Sequence, residues 1–249
     1  MVDTHCHLDT CDEPVADLVA RARDADVTRV LAIGMDDESC RHAIDAAHAH
    51  EEVYVSVGRH PHETAGFEYA DAMQIDELAA DDNVRAIGET GLDYKRDYAP
   101  RADQKRAFEA QIELARDRHL PLVVHTREAE DDTLAMLGRH SLGVPVIIHC
   151  FSMTSRIDEC IERGYYCSFA GNVTYPKAAA LHDAAARVPD ALLLVETDAL
   201  FLAPQSFRGK PNEPAFVRET AVFLAGLRGQ TYEQLEQVVE SNAAWIFRW

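Results

Sequence analysis

The sequence predicts a single-domain (β/α)8 barrel, an α/β fold in which eight parallel strands alternate with helices. Short apolar segments alternate with helical segments along the whole chain, at a spacing of about thirty residues. Such regular crossovers are typical of parallel strands, and the continuous apolar strand segments indicate burial on both faces of the sheet. An open, doubly wound sheet is the alternative, but no Gly-x-Gly-x-x-Gly motif follows the first strand.

Most of the predicted strands are short apolar segments that end at a polar residue or a glycine. The predicted strands are the opening strand, which ends with His5 and His7, and residues 28–34, 53–58, 84–88, 120–124, 144–148, 165–170 and 192–195. Helical spacing of apolar residues predicts helices at 13–25, 36–50, near 73–80, at 101–119, and after each of the fifth and sixth strands. Two further helices, at 214–226 and 232–247, close the chain.

Composition is consistent with one globular domain over residues 1–249. The chain is 47% hydrophobic and 27% charged, and it has no linker-like segment rich in Gly, Ser or Pro. The six cysteines form no Cys-x-x-Cys pair, which favours reduced thiols over a disulfide framework or a zinc ribbon. The sequence shows neither a leader segment nor an apolar run of the roughly 20 residues that span a bilayer, so we expect a cytoplasmic protein that does not insert into membranes.

The net charge of −19, with only four lysines, suggests adaptation to high salt. Screening by molar salt relieves the mutual repulsion of dense carboxylates. If the source is halophilic, the free energy of unfolding and the solubility of the protein should both increase from low to molar salt. Equal stability and solubility at both salt concentrations would contradict this hypothesis.

The same acidity argues against a broad surface for nucleic acid, because the chain has no basic run with interleaved aromatic residues. Any polyanionic substrate must therefore be attracted by local positive charge. The sequence indicates no obligate protein partner.

Ionisable residues follow the predicted strands at their carboxyl ends, where barrel enzymes place their chemistry. His5 and His7, separated by one residue, face the same side of an extended strand. A single histidine at a strand end is usually a hydrogen-bonded polar residue, but six ionisable side chains on one rim indicate a site. Imidazoles and carboxylates are ligands of divalent ions, and this number suffices for two ions, Zn, Mn or Mg. The candidate ligands are His5, His7, Glu89, His125, His149 and Asp198.

Two cysteines and six further histidines are interpreted as structural residues and not as metal ligands. We interpret Cys6 and Cys150, which flank candidate ligands, as packing residues. The histidines on predicted helices or at their ends are interpreted in the same way. They are His42, His48, His50, His119, His140 and His182.

With these residues the chain resembles the TatD family of metal-dependent hydrolases, within the amidohydrolase-like barrels. The matching segments occur in family order and span nearly the whole chain. They are Asp3 to Asp9, Gly58 to His62, Gly88 to Tyr94, His125 to Ala129, His149 to Ser152, Glu196 to Asp198 and Asn212 to Pro214. Three positions depart from the family pattern without replacing a ligand: Leu200 with Phe201, Met153 and Pro211.

The resemblance implies a metal-dependent deoxyribonuclease, with exonucleolytic action in several family members. It places His5, His7 and Asp198 on one divalent ion and His125 and His149 on the other. Glu89 would bridge the two ions, and His62 would contact the substrate.

The expected chemistry is hydrolysis by a metal-activated water, with Glu89 and Asp198 as catalytic carboxylates. Asp198 is the candidate to orient this water and accept its proton, although it could be a ligand alone. Two divalent ions against two carboxylates leave a local charge of about +2, which attracts a phosphodiester. The further candidates for phosphate contacts, Arg127, Lys210 and Arg59, could equally form structural ion pairs.

Three functions are compatible with this site. The first is a phosphodiesterase acting on DNA ends. The second is a metal-dependent esterase or amidase, such as a D-aminoacyl-tRNA deacylase, because the same ions polarise a carbonyl group. The third is a non-catalytic binder, which the complete ligand set disfavours.

Overall fold

The computed structural model describes residues 1–141 and 143–249 and confirms the (β/α)8 barrel. All strand pairs are parallel, and the strands are neighbours in chain order. The strands are β1 (Val2–Cys6), β2 (Arg29–Ile33), β3 (Val53–Val57), β4 (Val84–Asp93), β5 (Leu122–Arg127), β6 (Val146–Ile148), β7 (Tyr166–Phe169) and β8 (Leu193–Val195). The helices are α1 (Val15–Asp24), α2 (Asp37–Ala49), α3 (Tyr69–Leu78), α4 (Arg101–Arg118), α5 (Glu130–His140), α6 (Ile157–Glu162), α7 (Ala179–Arg187), α8 (Val217–Arg228) and α9 (Tyr232–Phe247).

The barrel closes between β1 and the segment that follows β8. Cys6 forms an isolated parallel bridge with Ala199. On either side of it, the Asp198 amide donates to the His5 carbonyl at 2.9 Å, and the His7 amide donates to the Ala199 carbonyl at 2.8 Å. Asp198 lies three residues beyond the last residue of β8, and this closure brings its backbone against β1.

The interior of the barrel and the interface between strands and helices are filled by apolar side chains. Phe108, Ile112, Leu122 and Ile148 are among the side chains that are fully buried. All six cysteines are free thiols, as predicted, and Cys6 and Cys40 are buried in the core. Among the described residues, no helix has the length and apolar composition needed to cross a membrane.

Strand β4 is longer than predicted. The sequence indicated residues 84–88, whereas the strand continues to Asp93. Gly88 and Gly91 have φ angles of +139° and +132°, and the register against β5 shifts between Ile87 and Thr90. This irregularity is a local bulge, a feature that redirects side chains at sheet rims and active sites. The glycines therefore mark a distorted strand that carries Glu89, and not the end of the strand.

Replacing Gly91 by Ala is expected to destabilise the fold by about 3 kcal/mol, because its positive φ disfavours a side chain. The new Cβ would also lie 2.0 Å from the carbonyl oxygen of His125, which is backbone and cannot swing away. Urea unfolding would measure the effect. The control is Gly226→Ala in α8, where a Cβ has nothing within 4 Å and alanine favours the helix. A wild-type urea midpoint for Gly91→Ala would contradict the expectation.

Candidate active site

One side of the site is formed by two histidines of the opening segment and two carboxylates. The Nε2 atoms of His5 and His7 lie 3.2 Å apart. Glu89 Oε2 is 3.4 Å from His5 Nε2 and 3.6 Å from His7 Nε2. Asp198 Oδ1 is 3.5 Å from His7 Nε2 and 3.9 Å from His5 Nε2. The alternation along β1 and the closure of the barrel thus bring together side chains nearly two hundred residues apart.

The other side of the site is formed around the second oxygen of Glu89. Glu89 Oε1 lies 2.8 Å from His125 Nδ1, 2.8 Å from His149 Nε2 and 3.4 Å from His60 Nε2. His125 Nδ1 and His149 Nε2 are themselves 3.3 Å apart. The structure therefore brings all six predicted ligand side chains together, with Glu89 between two groups of histidines.

These separations fit a divalent metal. A tetrahedral ion with bonds of about 2.1 Å holds its ligand atoms about 3.4 Å apart. On the side of the site that Glu89 Oε2 faces, the distances among the nitrogen and oxygen atoms are 3.2–3.9 Å. His5, His7 and Glu89 form one group of side chains able to hold an ion, and His60, Glu89 and His125 form another. Imidazole and carboxylate together suit Zn, Mn and related ions.

The ionisation states of the carboxylates also suit metal binding. Burial by itself would raise the pKa of Glu89, but the charge of His149 and hydrogen bonds from His125 and His149 hold this pKa well below its usual value. Burial opposes ionisation of Asp198 as well, and a hydrogen bond from His7 together with nearby imidazoles lowers its pKa. Both groups are therefore carboxylates at neutral pH, the form that binds cations.

Burial keeps two of the histidines neutral. Desolvation, together with the charge of His149, lowers the pKa of His5. Burial also lowers the pKa of His60 to about 4. A neutral imidazole has a free nitrogen lone pair, so these two side chains are in the ligand form at neutral pH.

A layer of buried polar groups surrounds the histidines. His149 Nδ1 lies 3.2 Å from Glu196 Oε1, which also accepts the Cys150 amide at 2.7 Å. His125 Nε2 lies 3.4 Å from Asp93 Oδ2. Carboxylates in this position fix the tautomer and the orientation of a ligating histidine.

Asp3 connects the strand that carries His5 and His7 to the segment that carries Asp198. Its Oδ1 accepts the Thr197 amide at 2.9 Å, and its Oδ2 lies 2.5 Å from Thr197 Oγ1. Burial raises the pKa of Asp3 to about 8, against the hydrogen bonds from Thr197. These hydrogen bonds hold β1 in register with the segment that follows β8, at the seam where the barrel closes.

Substituting Glu196 by Gln is expected to weaken metal binding about 10- to 100-fold, because His149 loses its charged outer partner. The affinity can be measured by competition with a chromogenic chelator. Glu162→Gln, an exposed change at the end of α6, is the matched control and should leave the affinity unchanged. An unaltered affinity in Glu196→Gln would show that the 3.2 Å contact with His149 does not tune the ligand.

Three site residues were not assigned from the sequence: His60, Asp93 and Glu196. His60 lies just beyond β3 and Glu196 directly follows β8, so the strand-end rule could have found both. Asp93 is the last residue of β4, but it lay beyond the predicted end of that strand. Its contact with His125 became visible only in the folded barrel.

The predicted substrate contacts differ in their surroundings. His62 Nε2 lies 2.7 Å from Asp93 Oδ2, and this contact holds the His62 ring at the edge of the site. Arg127 is exposed at the end of β5, two residues after His125. Lys210 is exposed in the loop between β8 and α8, with Nζ 5.8 Å from the centre of the Phe207 ring. No hydrogen bond or ion pair among the described residues joins Lys210 to the histidine cluster.

Arg59 is the candidate that forms a structural ion pair. Its guanidinium lies 2.8 Å from Asp37 Oδ1 and 3.8 Å from Asp71 Oδ1, and only 13% of the side chain is exposed. This arrangement joins the loop after β3 to α2 and α3, which positions the neighbouring His60.

Histidines on the helices lie in other contacts. His48 pairs with Asp81 at 2.8 Å, and His182 Nε2 lies 2.8 Å from the Val173 carbonyl oxygen. These contacts agree with the structural roles predicted for them.

Comparison with known proteins supports a metal-dependent hydrolase. The family described as TatD related DNase matches residues 2–248. YabD of Bacillus subtilis, named an uncharacterized metal-dependent hydrolase, is 34% identical over 100% of this chain and 99% of its own length. YcfH of Escherichia coli K12, named in the same way, is 38% identical over 99% of this chain and 95% of its own.

A relative with a named activity and a solved structure extend the comparison. The 3'-5' ssDNA/RNA exonuclease TatD of Musicola paradisiaca is 36% identical over 93% of this chain and 90% of its own length. The crystal structure of YjjV, a TatD homologue from Escherichia coli K12, superposes with a TM-score of 0.93 at 27% identity, covering 100% of this chain and 98% of that one.

Proposed function

Because the chain belongs to the TatD family of metal-dependent hydrolases, we propose that it is an exonuclease that hydrolyses phosphodiester bonds at the ends of DNA strands. The observation that carries this proposal is the position of Glu89 between the two histidine groups. One carboxylate oxygen faces His5 and His7, and the other faces His125 and His149. A carboxylate shared in this way is the arrangement expected of a two-metal site for in-line displacement at phosphorus.

We assign His5, His7 and Asp198 to one divalent ion, and His125 and His149 to the other, with Glu89 as the shared ligand. The distance from His60 to Glu89 Oε1 makes His60 an additional candidate on the second side. When bound, two divalent ions would lower the pKa of a water molecule and stabilise the charge that develops on the phosphate and the leaving oxygen.

Asp198 is the proposed acceptor of the proton of the attacking water. It is ionised, and its side chain is 14% exposed, compared with 3% for Glu89. Asp198 is therefore the carboxylate of this pair that is more accessible to water and to a substrate entering from the rim. Glu89 is enclosed by imidazoles, which suits a ligand whose role is to hold charge in place.

Arg127 and His62 are the proposed groups that orient the substrate beside this centre, and Lys210 is proposed to contact phosphates farther out. His62 is held by Asp93 at 2.7 Å, so its ring is fixed at the edge of the site. Arg127 is exposed just beyond His125. Together with the divalent ions, Arg127 and Lys210 would offset the overall acidity of the protein at the one place where a polyanion must bind.

The test is a comparison of three substrates with metal-loaded protein: end-labelled single-stranded DNA, D-aminoacyl-tRNA and a generic phosphodiester. Each is assayed with Mg²⁺, Mn²⁺ or Zn²⁺ and again after chelation. We expect metal-dependent release of nucleotides from the labelled strand. Deacylation of the tRNA without release of nucleotides would replace the nuclease proposal with an esterase, and inactivity on all three substrates would contradict both.

A further inference from the structure

The carboxyl-end rim of the barrel carries exposed cations that lie outside the ion-pair network. Elsewhere in this acidic chain most Lys and Arg side chains are paired with carboxylates, as Arg118 is with Asp76 and Arg228 with Asp190. Five exposed cations in the segments at or after the ends of β4, β5, β7 and β8 have no salt bridge among the described residues. They are Arg96, Arg127, Lys177, Arg208 and Lys210. Unpaired cations around one opening favour an anionic chain as the ligand.

Tyr98 is an exposed aromatic side chain on the β4 side of this rim. Its side chain is 64% exposed, yet its ring lies edge to face with His62, with centroids 4.8 Å apart. The buried Gln104 fixes the loop, because its side-chain amide donates to the carbonyls of Asp93 and Ala99 and its oxygen accepts the Asp93 amide. A bulky ring is thus displayed to solvent on a backbone that is held in place.

Phe201 is the corresponding aromatic side chain on the β8 side, and it is 55% exposed. Its amide donates to the Asp198 carbonyl at 2.8 Å, three residues from the proposed proton acceptor. The buried Asn212 donates from its side chain to the carbonyls of Thr197 and Phe201. As with Gln104 on the other side, a buried amide side chain holds the loop that presents the ring.

Strands β4 and β8 are four positions apart in a closed barrel of eight, so the loops that carry Tyr98 and Phe201 lie on opposite sides of the opening. The histidine cluster lies between them. We propose that Tyr98 and Phe201 are stacking platforms for unpaired bases on the two sides of the scissile phosphate, with the rim cations contacting the backbone. The proposal rests on the nuclease function proposed above and concerns which strands this nuclease accepts as substrates. Because both faces of a paired base are covered in a duplex, the platforms select single-stranded ends.

The test uses the metal-loaded full chain, an oligothymidylate and an abasic strand of equal length, which carries the same phosphates without bases. Tyr98→Ala and Phe201→Ala are each expected to raise KM for the oligothymidylate about 10-fold, with a smaller effect on kcat. The inhibition constant of the abasic strand should change much less in these variants. Tyr98→Phe and Phe201→Tyr, which keep a ring, should restore the wild-type KM.

Trp245→Ala is the matched control, because Trp245 is 68% exposed near the carboxyl end of α9 and its ring lies over Tyr166 at the opposite end of the barrel. Its KM should equal that of the wild type. Unchanged KM values in both alanine variants, or an equal loss for the abasic strand, would overturn the stacking proposal.

The two proposals fail in different ways. If the wild-type protein digests no strand, the exonuclease proposal is wrong, and fluorescence anisotropy with the same two strands still decides the stacking proposal. Tighter binding of the oligothymidylate than of the abasic strand, with the difference lost in Tyr98→Ala and Phe201→Ala, would support stacking. Equal affinity for both strands would refute it.

Discussion

Glu89→Gln is expected to lower kcat/KM for hydrolysis about 10³-fold or more, because the charge stabilisation from a complete metal site is worth several kcal/mol. Glutamine keeps the size of the side chain but removes a buried negative charge and replaces one ligand oxygen by an NH₂ group. Metal binding should weaken on both sides of the site, because the two oxygens of Glu89 face different histidine groups. Steady-state kinetics and elemental analysis of the same preparations would measure activity and metal content.

Glu113→Gln, at an exposed position of α4, is the control for losing one glutamate charge and should keep wild-type activity and metal content. Far-ultraviolet circular dichroism would establish that Glu89→Gln is folded. A folded Glu89→Gln variant with wild-type kinetics would overturn the assignment of Glu89 as the shared ligand and the mechanism that depends on it.

Asp198→Asn is expected to lower kcat by about 10³-fold even when metal is saturating, since general-base catalysis contributes about 10² to 10⁴. A loss is also expected in metal affinity, because Asp198 Oδ1 lies 3.5 Å from His7 Nε2 among the candidate ligands. The two effects separate when the rate is measured as a function of metal concentration. If kcat of Asp198→Asn stays below that of the wild type at saturating metal, the remaining loss is due to proton transfer.

Recovery of the wild-type kcat at high metal concentration would instead show that Asp198 serves only as a ligand. Asp45→Asn, an exposed change on α2, controls for the loss of one carboxylate and should follow the wild-type curve. The pKa of Asp198 is held below its usual value, so the wild-type carboxylate is ionised throughout the neutral range and the comparison can be made at pH 7.

Much of the architecture was predictable because its signals are local. Buried parallel strands appear as short apolar runs, and eight such runs separated by helices leave few folds to consider. The errors lie where local signals are ambiguous. Helix α3 begins at Tyr69, earlier than predicted, and the predicted helix at 214–226 begins as a 3-10 turn from Pro214 to Phe216.

Site residues were predictable to the extent that they follow strand ends. His5, His7, His125 and His149 are recognisable because a parallel barrel directs all such positions to one rim. The same rule applied to β3 would have included His60. Asp93 was not predictable, because the two glycines before it indicate a strand end in the sequence, whereas the structure bends β4 and continues it.

The sequence by itself determined the barrel and the set of imidazoles and carboxylates available on its rim, because strand periodicity and strand order depend on nearby residues. Only the tertiary structure decided that Glu89 lies between two histidine groups and that Asp198 joins the first of them. Those contacts depend on the bulge at Gly88 and Gly91 and on the barrel seam, where the Asp198 amide donates a hydrogen bond to the His5 carbonyl. Both depend on pairing between segments that are apart in the chain: β4 with β5 at the bulge, and β1 with the segment after β8 at the seam.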